Sequence, residues 1–289
     1  SYTINHIAGF TYDFPWIFGN ATSTATWVLG ANLTLGATRQ LTLNNGIFDI
    51  NSKTVSAAGF TIITGTPSLT NTGSSSYTTT LPFTHTSGTF TLSFDITTTG
   101  SYTLTSGTLN LGTYTLTISA FSSNTANART LNFGTGKIVI NGLVATNIWN
   151  TATVTSLTVS GTSLVEFQGG GTGTKVINTG ALAESQAMNF SFLETTGSVT
   201  YSFGTTLVFK NVIFNGSQTI NNDYANCYTY GSFTHLTTNG TTTFVAGTGN
   251  LVFAATSGSF NINNISDYTY DFPWFFGNAA STATWALAN

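Results

Sequence analysis

The feature that most narrows what this chain can fold into is a short cadence: alternating apolar and small polar residues, a glycine turn, then alternation again. LTLNNGIFDINSKTV at 41–55 and YTLTSGTLNLGTYTL at 102–116 carry it at a constant offset of 61. Leu41, Leu43, Phe48, Ile50 and Val55 align with Tyr102, Leu104, Leu109, Leu111 and Leu116, and Gly46 aligns with Gly107. A third copy, LVFAATSGSFNI at 251–262, lengthens the turn by two residues but keeps Leu251, Phe253, Phe260 and Ile262 in phase. Period-2 alternation is the signature of strands whose successive side chains face opposite ways. No window sustains a helical i, i+3, i+4, i+7 stripe, and ALAESQAM at 181–188 offers one short helix or loop at most. The chain is therefore expected to be all-β with many short strands.

Two architectures fit such strands: serial antiparallel β-sandwich modules, or a solenoid whose turns stack in parallel. An offset of 61 divides into about three turns of roughly 20 residues, whereas sandwich modules repeat at roughly 100 residues, so the parallel β-helix or β-solenoid is preferred. The cadence also resembles the passenger regions of autotransporters, large repetitive adhesins and some phage fibre proteins. The resemblance covers about a third of the chain. It implies a parallel β-helix with a structural or adhesive role at a surface.

A longer repeat lies over the shorter one. TYDFPWIFGNATSTATW at 11–27 returns as TYDFPWFFGNAASTATW at 269–285, at an offset of 258. Fifteen of these 17 positions are identical, and 20 of 31 when 1–31 is set against 259–289. The expected organisation is one solenoid repeat unit over 1–258 followed by the start of the next over 259–289. With about 4.8 Å per turn and roughly 13 turns, one unit would advance about 60 Å. The repeated motif concentrates aromatic residues: Tyr12, Phe14, Pro15, Trp16, Phe18 and Trp27, then Tyr270, Phe272, Pro273, Trp274, Phe276 and Trp285. Such rings dominate cores and interfaces, so a packed junction between units is expected ahead of a glycan-stacking site. Neither end carries the polar cap that an isolated solenoid needs, which points to continuation into another unit.

Composition bounds the remaining possibilities. Six Lys+Arg and nine Asp+Glu make up 5% of the residues, against roughly 25% in an ordinary domain. A net charge of −3 supplies no basic field for nucleic acid. No stretch approaches the roughly 20 apolar residues of a membrane-spanning helix, so membrane insertion is not expected. The polar surface falls to 60 Thr, 28 Ser and 28 Asn. The chain opens at Ser1 without a basic region or apolar signal core, so a mature form or an excised segment is expected. Cys227 stands alone, is read as a small buried residue, and rules out an internal disulfide framework.

Candidate chemistry is sparse, and neither a metal nor a cofactor is expected. Asp13, Asp49, Asp95, Asp223, Asp267 and Asp271 are scattered, while Glu166, Glu184 and Glu194 cluster only loosely. Asp13 and Asp271 precede Phe-Pro and read as turn or capping residues. His6, His85 and His235 lack partners at metal-ligand spacing and read as surface or packing residues. GGGTGTK at 169–175 lacks the Gly-Lys-Ser/Thr junction of a phosphate loop and reads as a flexible loop. Glycosylation acceptors stand at Asn20, Asn32, Asn189, Asn215, Asn239 and Asn264, no more often than this composition gives by chance.

The expected function is non-enzymatic: a secreted, self-assembling structural subunit of an extracellular filament, fibre or sheath, at a cell or virion surface, partnered by copies of itself. The alternatives are a glycan-binding adhesin or phage tail-fibre segment and, as a minority reading, a polysaccharide-degrading β-helix enzyme.

Overall fold

A computed structural model describes all residues except 144–146, 172, 195–198, 205, 222–225, 246–248, 264–269, 271–272, 278–280 and 289. Its strands pair in parallel and wind as a β-solenoid of about 11 turns, with one 3-10 turn at Glu184–Gln186 among the described residues. The parallel pairing excludes serial antiparallel sandwiches. The chain divides into two compact units, one of residues 1–138 with 155–162, the other of residues 139–154 with 163–289.

In the first unit each turn contributes up to three strands. One sheet stacks Tyr2–Ile4, Thr26–Leu29, Ile47–Asp49, Ser68–Thr70, Thr89–Thr91, Gly107–Asn110, Arg129–Asn132 and Leu157–Ser160. A second stacks Trp16–Phe18, Gln40–Leu43, Gly59–Ile62, Phe83–His85, Tyr102–Leu104 and Phe121–Ser122. The third strand of the turn is Thr11–Tyr12, Leu33–Leu35 or Val55–Ser56 in the early turns, and Ser76–Thr79, Asp95–Thr98 or Thr115–Ile118 later.

The offset of 61 is three turns of unequal length: Leu41 pairs with Phe60, Phe60 with Phe83 and Phe83 with Tyr102. Side chains at these positions point inward and stack: Phe83 to Tyr102 at 5.9 Å and Tyr102 to Phe121 at 6.0 Å, with ring planes within 13°. The next residue of each later strand points outward, giving the column Thr61, Thr84, Thr103 and Ser122, while Thr42 at the head of the column is buried. Turn length is less regular than a constant period implies, and the step from Leu131 to Val159 is longer than any of these three. The whole chain winds about 11 turns, fewer than the 13 expected of residues 1–258 alone, so the average turn is longer than the expected 20 residues.

In the second unit Asn147–Asn150, Gly173–Asn178, Val199–Phe203, Gln218–Asn221 and Thr243–Val245 form one sheet. The eight-residue strand Leu207–Phe214 spans two faces. Its first half pairs with Cys227–Thr229, which leads to Leu251–Phe253 and Trp274–Phe276; its second half pairs with Phe233–His235, which leads to Ser259–Asn263 and Thr284–Ala288. Phe167, Phe192 and Phe214 stack at 4.8 and 4.9 Å in the core between them.

The turn glycines hold the winding. Gly88 and Gly107 have φ of 78° and 89°, and Thr108 N donates to the Gly88 carbonyl at 2.8 Å. A Cβ on Gly107 would lie 2.2 Å from that carbonyl oxygen, so both conformation and space demand glycine. Gly112, at φ 62°, has only the Tyr114 ring within 4 Å of its Cβ position. Gly107→Ala is expected to cost at least about 2 kcal/mol in urea unfolding, and Gly112→Asn less than about 1 kcal/mol, because asparagine tolerates the left-handed region and meets no obstruction. Equal losses at the two sites would show that the stacked carbonyl is not what constrains Gly107.

Candidate assembly site

The two copies of the aromatic motif are built alike from the backbone upward. In the first, Tyr2 pairs with Trp27, Thr3 with Val28 and Ile4 with Leu29. In the second, Phe260 pairs with Trp285, Asn261 with Ala286 and Ile262 with Leu287, which is the same register shifted by the offset of the long repeat. Trp16–Phe18 and Trp274–Phe276 are strands at equivalent positions. The rings keep their mutual geometry: Tyr12 to Trp16 is 5.3 Å and Tyr270 to Trp274 is 5.2 Å, while Phe18 to Trp27 is 5.5 Å and Phe276 to Trp285 is 5.9 Å.

What differs is the side on which each copy is covered. Phe18 meets Phe48 of the turn after it at 4.7 Å, and Trp16 pairs with Leu41 of Gln40–Leu43. Phe276 instead stacks at 4.7 Å on Phe253 of the turn before it, and Trp274 pairs with Leu251. Phe18 is 8% exposed and Phe276 is 53% exposed, while Leu29 is 0% exposed and Leu287 is 70%. The reverse holds on the other side, where Ile262 is buried beneath Phe233 and Ile4 is half-buried.

Phe14, Pro15 and Pro273 are exposed, and Tyr12, Trp16, Trp27, Tyr270, Trp274 and Trp285 are half-buried. The indole nitrogens of Trp16 and Trp285 are enclosed without an acceptor among the described residues. Phe272, Asp271, Asp267, Asp223 and the acceptor Asn264 lie outside the described residues. Of the other acceptors, Asn20, Asn32 and Asn239 are exposed, while Asn189 and Asn215 are half-buried and hydrogen-bonded to Asn211 and Asn239.

The described aspartates have separate, local partners. Asp13 does not cap its own loop; its carboxylate accepts from Arg39 Nε at 2.9 Å, tying the motif to the following turn. Asp49 is buried and accepts from Asn51 N and from both the N–H and hydroxyl of Thr72, a purely architectural arrangement. Asp95 accepts from Thr115 N. Among the described residues no three of His, Cys, Asp and Glu gather as a metal site. Cys227 is buried, and burial pushes its thiol well above its ordinary range.

Two buried polar groupings escaped the sequence reading. GGGTGTK does not end as a loop: Gly173–Asn178 is a strand, and Lys175 points into the core. Its Nζ donates to the carbonyls of Gly169 and Gly170 and lies 3.5 Å from Glu194 Oε1, which also accepts from the Tyr201 hydroxyl. Burial pulls the Lys175 ammonium down and raises the Tyr201 hydroxyl; Glu194 opposes the first shift and adds to the second. The other grouping is the tripeptide Phe-Thr-His, found at 83–85 and 233–235, whose histidines are both buried. His85 Nδ1 is 3.0 Å from Tyr102 Oη and Nε2 is 3.2 Å from the Gly88 carbonyl. A carbonyl only accepts, so Nε2 carries the proton and Nδ1 accepts from tyrosine. His235 Nδ1 is 2.7 Å from Tyr270 Oη, linking this histidine to the second motif.

No family model matches this chain, and neither curated proteins nor solved structures gave a match.

Lys175→Met alone is expected to cost about 3–5 kcal/mol, because it leaves the Glu194 carboxylate buried without its cation. Adding Glu194→Gln, which keeps an acceptor for Tyr201, should recover most of that loss in urea unfolding. An additive double variant would mean the pair is not coupled. Burial lowers both core histidines to about 4. Between pH 4 and 6.5 the unfolded chain therefore binds more protons, so stability falls as pH drops through that window, by up to about 3 kcal/mol per histidine. Thermal unfolding of His85→Gln/His235→Gln should show a markedly flatter decline from pH 6.5 to 4 than the native chain; an unchanged slope would assign the decline to other groups.

Proposed function

We propose that this chain is a structural repeat unit of an extracellular filament, fibre or sheath, joined to further copies through the aromatic motif. The observation that carries this reading is the repetition of one strand register in both copies of the motif. A motif serving only to close one end of a fold has no reason to recur in the same pairing at the other. Strand edges that lie open recruit further strands, and natural proteins that avoid assembly block them with charge, proline or bulges. The strands Trp16–Phe18, Trp274–Phe276 and Thr284–Ala288 carry no charged residue.

Glycan binding is a second reading, supported by exposed Phe10 and Phe14 flanking Tyr12 at 4.9 and 5.8 Å, an arrangement able to stack on sugar rings. The two are separable by scattering and fibre diffraction on the purified chain. Assembly predicts particle mass that grows with concentration and, in aligned specimens, a reflection near about 4.8 Å along the fibre axis. A compact monomer at every concentration would overturn the structural reading and leave the glycan site as the better account.

A further inference from the structure

In the first unit the third strand of the turn is interrupted in mid-chain. Val55–Ser56 pairs back to Leu33–Leu35 and Ser76–Thr79 pairs forward to Asp95–Thr98, but these two successive strands do not pair with each other. Val55 N donates instead to the Tyr77 hydroxyl at 3.2 Å. At this break the loops leading into the two strands enclose an open groove of about 370 Å³, within the roughly 300–1,000 Å³ that small-ligand sites span.

The groove is held in shape by its own walls. Asn71 is buried and bridges them: its Oδ1 accepts from Ser52 N at 2.7 Å, and its Nδ2 donates to the Ser76 carbonyl at 2.9 Å. Asn51 and Ser52 are consecutive non-glycine residues with φ of 50° and 58°, a conformation that persists only where the surroundings impose it and that clusters at ligand sites. A Cβ on Gly73 would lie 2.0 Å from Ser52 Oγ, so the two loops touch. Ser52, Thr54, Ser76 and Thr78 are exposed along the groove, and their hydroxyls make no bond within the chain among the described residues. Lys53 is half-buried there and has no carboxylate partner among the described residues. In a chain with six basic residues, where Arg39 is paired to Asp13 and Arg129 and Lys175 are buried, an uncompensated ammonium in a polar groove sets this place apart. Asp95, which pairs with Ser76 in the next turn, commits its carboxylate to Thr115 N at 2.8 Å.

We propose that this groove binds a uronate-containing oligosaccharide, with Lys53 taking one sugar carboxylate and the hydroxyls of Ser52, Thr54, Ser76 and Thr78 exchanging hydrogen bonds with the ring hydroxyls. A hydroxyl both donates and accepts, so a wall of them matches a polyol, which presents the same groups in return. One ammonium matches one carboxylate rather than a run of phosphates. A flat aromatic ligand would find no ring to stack on, since the Tyr77 side chain is 7% exposed. The groove lies wholly within one unit and away from the aromatic motif, so it stands independently of assembly.

Titration calorimetry on the full chain tests this with tetrasaccharides of galacturonic, glucuronic and mannuronic acid, set against the uncharged galactose tetrasaccharide. At least one uronate is expected to bind about tenfold more tightly than the uncharged sugar, and to lose that advantage as salt is raised, because an ion pair open to solvent is screened. Lys53→Gln should erase the preference. Lys210→Gln, which removes an exposed lysine of the second unit, and Phe14→Ala should both leave it intact. Ser76→Leu lays a branched apolar side chain across the groove from an exposed position and should abolish binding with the melting temperature unchanged. Failure of all three uronates to bind at millimolar concentration, or a preference that survives Lys53→Gln, would overturn the proposal. Binding lost in Phe14→Ala would overturn it too, by moving the site to the aromatic motif. Light scattering on Lys53→Gln keeps the two readings apart, since concentration-dependent assembly should be the same as in the native chain.

Discussion

The rest of this structure depends on one constraint: each turn must place an apolar side chain over the apolar side chain of the turn before it. Backbone hydrogen bonds between parallel strands run from turn to turn, so a turn has few partners of its own and is stable only between neighbours. The inward stack from Leu41 through Phe60, Phe83 and Tyr102 to Phe121 is the hydrophobic expression of this rule. The approach of Gly107 to the Gly88 carbonyl is its steric expression. Because the rule acts only between neighbours, it has no natural stopping point. A turn with a neighbour on one side only keeps its other side open.

That locality explains why some features were legible in the sequence and others were not. Alternation and the offset of 61 identified a parallel solenoid because three turns happened to sum to the same length where the cadence was clearest. The unequal individual steps, from Leu41 to Phe60, then to Phe83 and to Tyr102, were invisible, since turn length is set by loops that carry no periodic signal. The count of turns was therefore overestimated, although the fold was not mistaken. The motif at TYDFPW was plain because both copies preserve nearly every side chain. Its one-sided burial could not be read from identical residues in different neighbourhoods.

The buried polar groups were illegible for a related reason. Lys175 and Glu194 are far apart in the chain, and only the stacking of Gly173–Asn178 beside Val199–Phe203, with Tyr201 between, shows that they meet. A glycine-rich run before a lysine suggested a loop because glycine weakens any strand prediction. The sequence left His85 and His235 as surface or packing residues, and they alternate inward with their phenylalanines and pack in the core. What it lacked was the partner, a tyrosine from the succeeding turn whose hydroxyl makes an inward imidazole tolerable.

The scarcity of charge, which first suggested a chain without chemistry, follows from the same stacking. An outward position in one turn lies about 4.8 Å from its counterparts above and below, so a charged residue repeated there would form a column of like charges. At about 4 Å each such contact costs roughly 1 kcal/mol even in water, and the cost recurs at every turn. Threonine, serine and asparagine carry no such cost and can bond along the column instead. Ser160 Oγ donates to Asn132 Oδ1 at 3.1 Å, Asn211 Nδ2 to Asn189 Oδ1 at 2.7 Å, and Asn250 Nδ2 to Asn226 Oδ1 at 2.8 Å. The ion pairs among the described residues, Asp13 with Arg39 and Lys175 with Glu194, set opposite charges against one another across the stack. A polar, nearly uncharged surface is thus what parallel stacking selects.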